Sequence, residues 1–219
     1  MTTTHHNQRS VLVIGGTGKT GRRVAERLTD RGVSVRIGSR SSATPFDWED
    51  PSTWSSALGG VSSAYISYYP DLAAPGAPEA VGALAETALA RGVRRLVLLS
   101  GRGEAEAQGA ERVLFESGAD ATVVRCAWFM QNFSEAFLRD AVLSGEIVLP
   151  GGDALEPWVD ADDIADVAVA SLTDPGHVGQ LYVLTSPRLY TMTCLLYTSP
   201  SPRDLNPNRV LRRGRVNRG

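Results

Sequence analysis

The chain has 219 residues, 42% of them apolar and 21% charged, enough for a well-buried core and too apolar for wholesale disorder. Its formal charge of −2 excludes a dedicated nucleic-acid binder, which should be strongly basic. The basic residues are uneven in kind and in place: Lys19 is the one lysine, and residues 193–219 carry +5, leaving −7 on the rest.

The first nine residues are polar and read as a flexible N-terminus, with His5 and His6 in a frayed end rather than at a metal. They lack the apolar run of a signal peptide, no stretch reaches membrane-span length, and Cys126 and Cys194 are isolated thiols, so a cytoplasmic protein is expected. From residue 10 onward, strand-length apolar runs alternate with helical patterns. Strands are predicted at Val11–Ile14, Val33–Ile37, Ala64–Ser67, Arg95–Ser100 and Thr122–Arg125, with a short one before Asp47–Trp48. Helices are predicted at Lys19–Asp30, Pro51–Leu58, Glu79–Arg91 and Glu104–Glu116, the last with Ala107, Ala110, Val113 and Leu114 on one face. A further helix is expected over Phe129–Val142. Another begins near Asp160–Asp162, as caps, and a last strand covers 181–185. Continuous apolar strands joined by helices predict an α/β fold, a doubly wound and mostly parallel sheet of the Rossmann type, spanning residues 10–192.

The strongest local signal is VLVIGGTGKTGRRVAERL, a strand, a glycine loop and a helix. Gly15 permits a tight turn, Gly18 lets the backbone approach a pyrophosphate, and Gly21 lets helix and strand pack closely. The helix then aims its open N–H groups at the phosphates. The cradle takes in Gly15, Gly16, Thr17, Gly18, Lys19, Thr20 and Gly21. A triphosphate-binding loop would need glycine where Val13 stands. A purely structural glycine turn is the blander alternative.

The segment VRIGSRSS after the second strand has no carboxylate before Asp47, whereas an NAD site wants one there to hold the ribose hydroxyls. Arg40 can instead fork a 2′-phosphate, with Ser39 and Ser41 adding hydroxyls, so NADP(H) is expected in preference to NAD(H). A solvated loop charge is the rival for Arg40. Asp47 could abut the adenine or cap the next helix. A Tyr-x-x-x-Lys pair, in which lysine helps a tyrosine act as acid, is impossible because the lone lysine lies in the glycine loop. Any chemistry must then be hydride transfer steered by position, to an acceptor needing little acid help, or take its proton elsewhere. Groups at the carboxyl ends of strands include Ser100 and, for orienting a flat acceptor, Tyr69, Trp128, Gln131 and Asn132. Core packing is the competing role for Trp128, Phe129, Phe133 and Phe137.

The segments GGTGKTGRRV, FDWEDPSTW, RRLVLLSGRG, VVRCAWFMQNF, EPWVDADDIADVAVASL and GQLYVLTSPR, in that order, resemble the NmrA-like branch of the atypical short-chain dehydrogenase/reductases. The likeness runs from about Ser10 to Thr191 and is nearest to the ergot-alkaloid reductases. It implies cofactor contacts at Gly15, Thr17, Gly18, Arg40, Ser100 and around Trp128–Asn132. It implies an NADPH-dependent reductase of a small planar electrophile, quinone-like or iminium-like. The alternative from the same family is a redox sensor that binds dinucleotide without turnover and regulates a partner protein. Neither nucleic acid nor membrane is an expected partner. The family would continue with a helix-rich part completing the substrate pocket. Cys194 to Asp204 instead resembles a translated sequencing-library adapter, so 193–219 is expected to be an unpacked, non-native tail, with a genuine basic arm for nucleic acid as the rival reading.

Overall fold

The computed structural model describes residues 10–135, 138–144, 154–191 and 194; the expectations for the N-terminus, Phe137 and nearly all of the tail lie outside these. The chain divides into two units, Met1–Cys126 with Asp162–Leu184, and Ala127–Ala161 with Thr185–Gly219.

The first unit holds a six-stranded sheet built from β1 (Ser10–Ile14), β2 (Val35–Gly38), β3 (Val61–Ile66), β4 (Arg95–Gly101), β5 (Asp120–Cys126) and β7 (Leu181–Leu184). The order is β2-β1-β3-β4-β5-β7 and every pairing is parallel. Parallel pairing demands covered faces, which is why Val11 to Ile14 and Leu96 to Leu98 are all buried. Each such aliphatic side chain contributes about 1.5–3 kcal/mol on leaving water. The helices of this unit are α1 (Lys19–Asp30), α2 (Trp54–Leu58), α3 (Ala77–Ala90), α4 (Ala105–Glu116) and α7 (Ala161–Thr173). Val24 and Leu28 of α1 face inward at helical spacing. On its other side Arg23 and Arg27 reach Asp162, and Arg27 also reaches Asp166 at 2.5 Å, pinning α1 to α7. Asp162, the second residue of α7, therefore serves as an ion-pair partner from inside the helix.

The expected α/β sheet stands, and two expected elements change. No strand forms before Asp47. The Asp47 N–H donates to Thr53 Oγ1 and its carbonyl accepts from Trp54 Nε1, which commits this backbone to a local turn and leaves β2 at the edge. In the second unit the helix begins at Asn132 rather than Phe129, because Phe129 bridges Val159. Met130 N–H donates to the Val159 carbonyl, and Val159 N–H to the Trp128 carbonyl. The unit contains α5 (Asn132–Glu135), α6 (Leu138–Ser144) and a two-stranded ribbon of β6 (Leu155–Glu156) with β8 (Tyr190–Thr191). Phe133, Leu138 and Trp158 form its core, so Phe133 takes the packing role.

Candidate functional site

Sheet order fixes where a ligand can sit. The chain goes from β1 outward to β2, then returns to place β3 on the other side of β1, so the carboxyl ends of β1 and β3 bound a crevice at a topological switch point. Gly15 lies there with φ +74°, a left-handed backbone that glycine adopts without strain. Its N–H donates to the Gly38 carbonyl, and its carbonyl accepts from Gly18 N–H, both at 2.9 Å. A methyl at Gly15 would lie 3.1 Å from the Ser67 Cβ, and one at Gly21 would overlap the Gly15 carbonyl, with that carbonyl carbon 2.7 Å away. Gly18 is the N-cap of α1 and brings no side-chain cap, so the first N–H groups of a twelve-residue helix open toward the crevice. A glycine cradle at the switch point with an uncapped helix behind it fits a dinucleotide's pyrophosphate.

The other proposed contacts fall into place unequally. Gly16 packs against Ile37, where a methyl would lie 2.8 Å from Cδ1, so it serves the turn's shape; Thr17 is exposed at its tip. Lys19 lies half-buried at the start of α1, its carbonyl accepting from Arg23 Nη1. Thr20 departs from expectation. It is buried and its hydroxyl accepts from Tyr65 Oη at 2.9 Å, which holds that side chain against β3. Burial pushes the Tyr65 phenol well up, so Tyr65 stays a neutral donor.

On the β2 side, Ser39 is half-buried while Arg40 and Ser41 are exposed, and Arg40 makes no ion pair or hydrogen bond among the described residues. Arg36, in contrast, donates to the carbonyls of Ala57 and Gly59 at the end of α2. Ser42 holds the loop's shape, with Oγ 2.8 Å from the Ser39 carbonyl and 2.7 Å from that of Thr44. Asp47 does not cap the following helix. Its carboxylate accepts from Glu49 N–H, and Asp50 supplies the cap through Ser52 N–H. Trp48, beside it, sets its ring 4.7 Å from Tyr68 and donates Nε1–H to the Ser67 carbonyl, making an aromatic wall along the crevice.

Beyond β3, Tyr69 is 68% exposed. Ser100, at the end of β4, is buried and donates its hydroxyl to Glu111 Oε1 at 2.5 Å. Glu111 of α4 in turn receives Arg125 of β5, through Nε at 2.9 Å and through Nη2. This hydrogen bonding holds the guanidinium even more firmly protonated. With its proton committed to Glu111, Ser100 offers the crevice lone pairs rather than a donor. Glu111 and Arg125 escaped the sequence reading. The signal is in the spacing: Glu111 stands four residues after Ala107 and three before Leu114, on the inward stripe, while Val113 is only half-buried.

In the second unit Trp128 is 42% exposed and packs edge-on to Trp158, its ring centroid 5.7 Å away. Asn132 starts α5 half-buried. Gln131, expected to help orient an acceptor, is instead held by its own unit. It is buried, its Nε2 donates to Asp160 and its Oε1 accepts from Ala161 N–H, both at 2.8 Å, so both ends of its amide are engaged internally. Among the described residues there is no cluster of His, Cys, Asp or Glu that could hold a metal ion, and no helix long and apolar enough to cross a membrane.

No protein-family model matches the chain. An NAD(P)H azoreductase of Xenophilus azovorans is 32% identical over 213 residues, covering 81% of this chain and 68% of the relative. Festuclavine synthase II of Penicillium roqueforti is 33% identical over 204 residues, covering 82% and 69%. The chain spans about two thirds of the length of the curated relatives it matches, from 64% to 69%. Among solved structures, the Citrobacter sp. triphenylmethane reductase complexed with NADP(H) superposes with a TM-score of 0.65 at 22% identity, over 88% of this chain and 76% of that one, a likeness of fold. The glycine cradle at the switch point and these relatives agree, and the chain belongs to the NmrA-like branch of the atypical short-chain dehydrogenase/reductases, a family of NAD(P)-binding Rossmann oxidoreductases.

Proposed function

We propose that the protein is an NADPH-preferring reductase that delivers hydride to a small planar electrophile, quinone-like or iminium-like. The observation that carries the cofactor preference is Arg40, exposed just past the end of β2, where among the described residues it has no partner and no carboxylate is placed to receive a ribose. Gly15, Gly18 and the opening N–H groups of α1 would hold the pyrophosphate. Arg40, with Ser39 and Ser41, would hold a 2′-phosphate, and Trp48 and Tyr68 would wall the crevice. When bound, the cofactor supplies the hydride; the chain supplies position. The reductase half of the proposal leans on the names of the relatives, an azoreductase and a festuclavine synthase. The cytoplasm, rich in reduced dinucleotide, is the compartment this reading expects.

Replacing Arg40 by alanine is expected to weaken NADPH binding by about ten- to a hundredfold, the worth of a charge-assisted hydrogen bond. NADH binding should barely change. Fluorescence titration with each cofactor checks this, and equal weakening of both would remove Arg40 from the 2′-phosphate.

A second reading, a dinucleotide sensor acting on a partner protein, draws on the missing Tyr-x-x-x-Lys pair. Tight binding of the oxidised cofactor without turnover on any quinone would favour it.

A further inference from the structure

The reductase reading leaves a gap. A cationic acceptor such as an iminium becomes neutral on receiving hydride, whereas a quinone needs a proton as well. The dinucleotide's expected course shows where a donor must stand. With Arg40 beyond β2 and the glycine cradle at β1, the nicotinamide half must run the other way, over the ends of β3 and β4. Two strand spacings separate β1 from β4, about 10 Å.

Three candidates there are committed or poorly held. Ser100 donates its hydroxyl hydrogen bond to Glu111, and Glu111 is bound by Arg125. Tyr69 stands in solvent with no hydrogen bond among the described residues to orient it. Glu104 differs. It precedes α4, and its carboxyl lies over the backbone of Gly101, the last residue of β4; a methyl at Gly101 would come 2.5 Å from Glu104 Cδ. Glycine at 101 is what lets that carboxyl fold back over the strand end. The Glu104 carboxyl makes no hydrogen bond to any described residue, so no neighbour among them competes for it.

We propose, resting on the reductase reading, that Glu104 is the proton donor for neutral acceptors at the carboxyl end of β4. In the step, hydride with its electron pair passes from reduced nicotinamide to the quinone, which the Glu104 carboxyl protonates to give hydroquinone. Oxidised nicotinamide and the Glu104 carboxylate remain, and solvent returns the proton. Its surroundings suit the role. Burial raises the pKa of Glu104, and the like charges of Asp71, from the loop after β3, and Glu106, from the first turn of α4, raise it further. A raised carboxyl keeps its proton to higher pH, so turnover of neutral acceptors should fall as pH climbs through that pKa.

The test compares Glu104→Gln with wild type on a neutral para-quinone and on a cationic triarylmethane dye, each with NADPH. The expected result is a loss of about a hundredfold on the quinone, within the usual span for general acid catalysis, and little change on the dye. An infrared titration of the cofactor-free protein gives a readout independent of turnover. A protonated-carboxyl band should persist to higher pH than ordinary glutamates and vanish in Glu104→Gln. Asp71→Asn should move that band, and the quinone pH profile, to lower pH. Equal losses on both acceptors, or a band unchanged in Glu104→Gln, would overturn the assignment while leaving the reductase reading in place. Wild-type protein that reduces neither acceptor would overturn the reductase reading and Glu104's role with it.

Discussion

Gly21→Ala is expected to abolish useful dinucleotide binding and to destabilise the first unit by about 3 kcal/mol, the upper range for overpacking. The added methyl would occupy the space of the Gly15 carbonyl, with the Gly15 carbon 2.7 Å and the Gly16 Cα 2.9 Å away. Those neighbours are backbone and cannot rotate aside as a side chain would. The turn or the first residues of α1 must shift, and Gly15 is also held by the Gly38 carbonyl through its own N–H. A misplacement near 1 Å costs about a hundredfold in rate even when binding survives, and here the displaced groups are those meant to cradle the pyrophosphate. Fluorescence titration with NADPH and thermal melting check both halves. Gly59→Ala is the matched control, since there the nearest heavy atom would lie at 3.4 Å and φ is −63°. That change should leave binding untouched. A Gly21→Ala protein that binds NADPH normally would mean the cradle does not close as described.

Glu111→Ala should be the most damaging change away from the glycine loop, at about 3 kcal/mol. That is the lower end of what breaking a buried ion pair costs, because the Arg125 side chain keeps 21% of its exposure and water can still reach it. Three polar groups depend on this one carboxylate: the Ser100 hydroxyl and both arms of the Arg125 fork. Ser100 and Arg125 are register partners across β4 and β5, so the loss falls at the carboxyl ends of two neighbouring strands. Urea denaturation measures it. Removing Arg125 as well should recover part of the stability, since the unpaired cation goes with it. Glu111→Gln should be milder in stability but would let the amide donate to Ser100, turning the serine's own proton toward the crevice. A fully additive double variant would contradict the coupling.

How far the sequence carried depends on the distance over which each feature is specified. Val11–Ile14 and the glycine loop are local: a continuous apolar run and three spaced glycines dictate their own geometry, and both stand where expected. The parallel sheet was legible for the same reason, as a repeat of short apolar runs and helical stripes. The Ser100–Glu111–Arg125 link was not, because it exists only once β4 and β5 pair in register. The break of the expected helix at Phe129 has the same origin, in a bridge to Val159 thirty residues away. Gln131 turns inward because Asp160 and Ala161 claim its amide, again a nonlocal contact. Thr20 shows a subtler limit. The loop motif places its backbone correctly, but only the position of Tyr65 on β3 reveals that the hydroxyl points inward.

The proposed reductase holds the pyrophosphate in its glycine cradle and selects NADPH through Arg40. Steady-state oxidation of NADPH and of NADH against a saturating quinone, followed at the reduced cofactor's absorbance, tests it most directly. The expected result is turnover with both, with kcat/KM for NADPH about tenfold or more above NADH, matching one charge-assisted contact. Tight dinucleotide binding with no oxidation of either cofactor would contradict the claim and leave a sensor in its place.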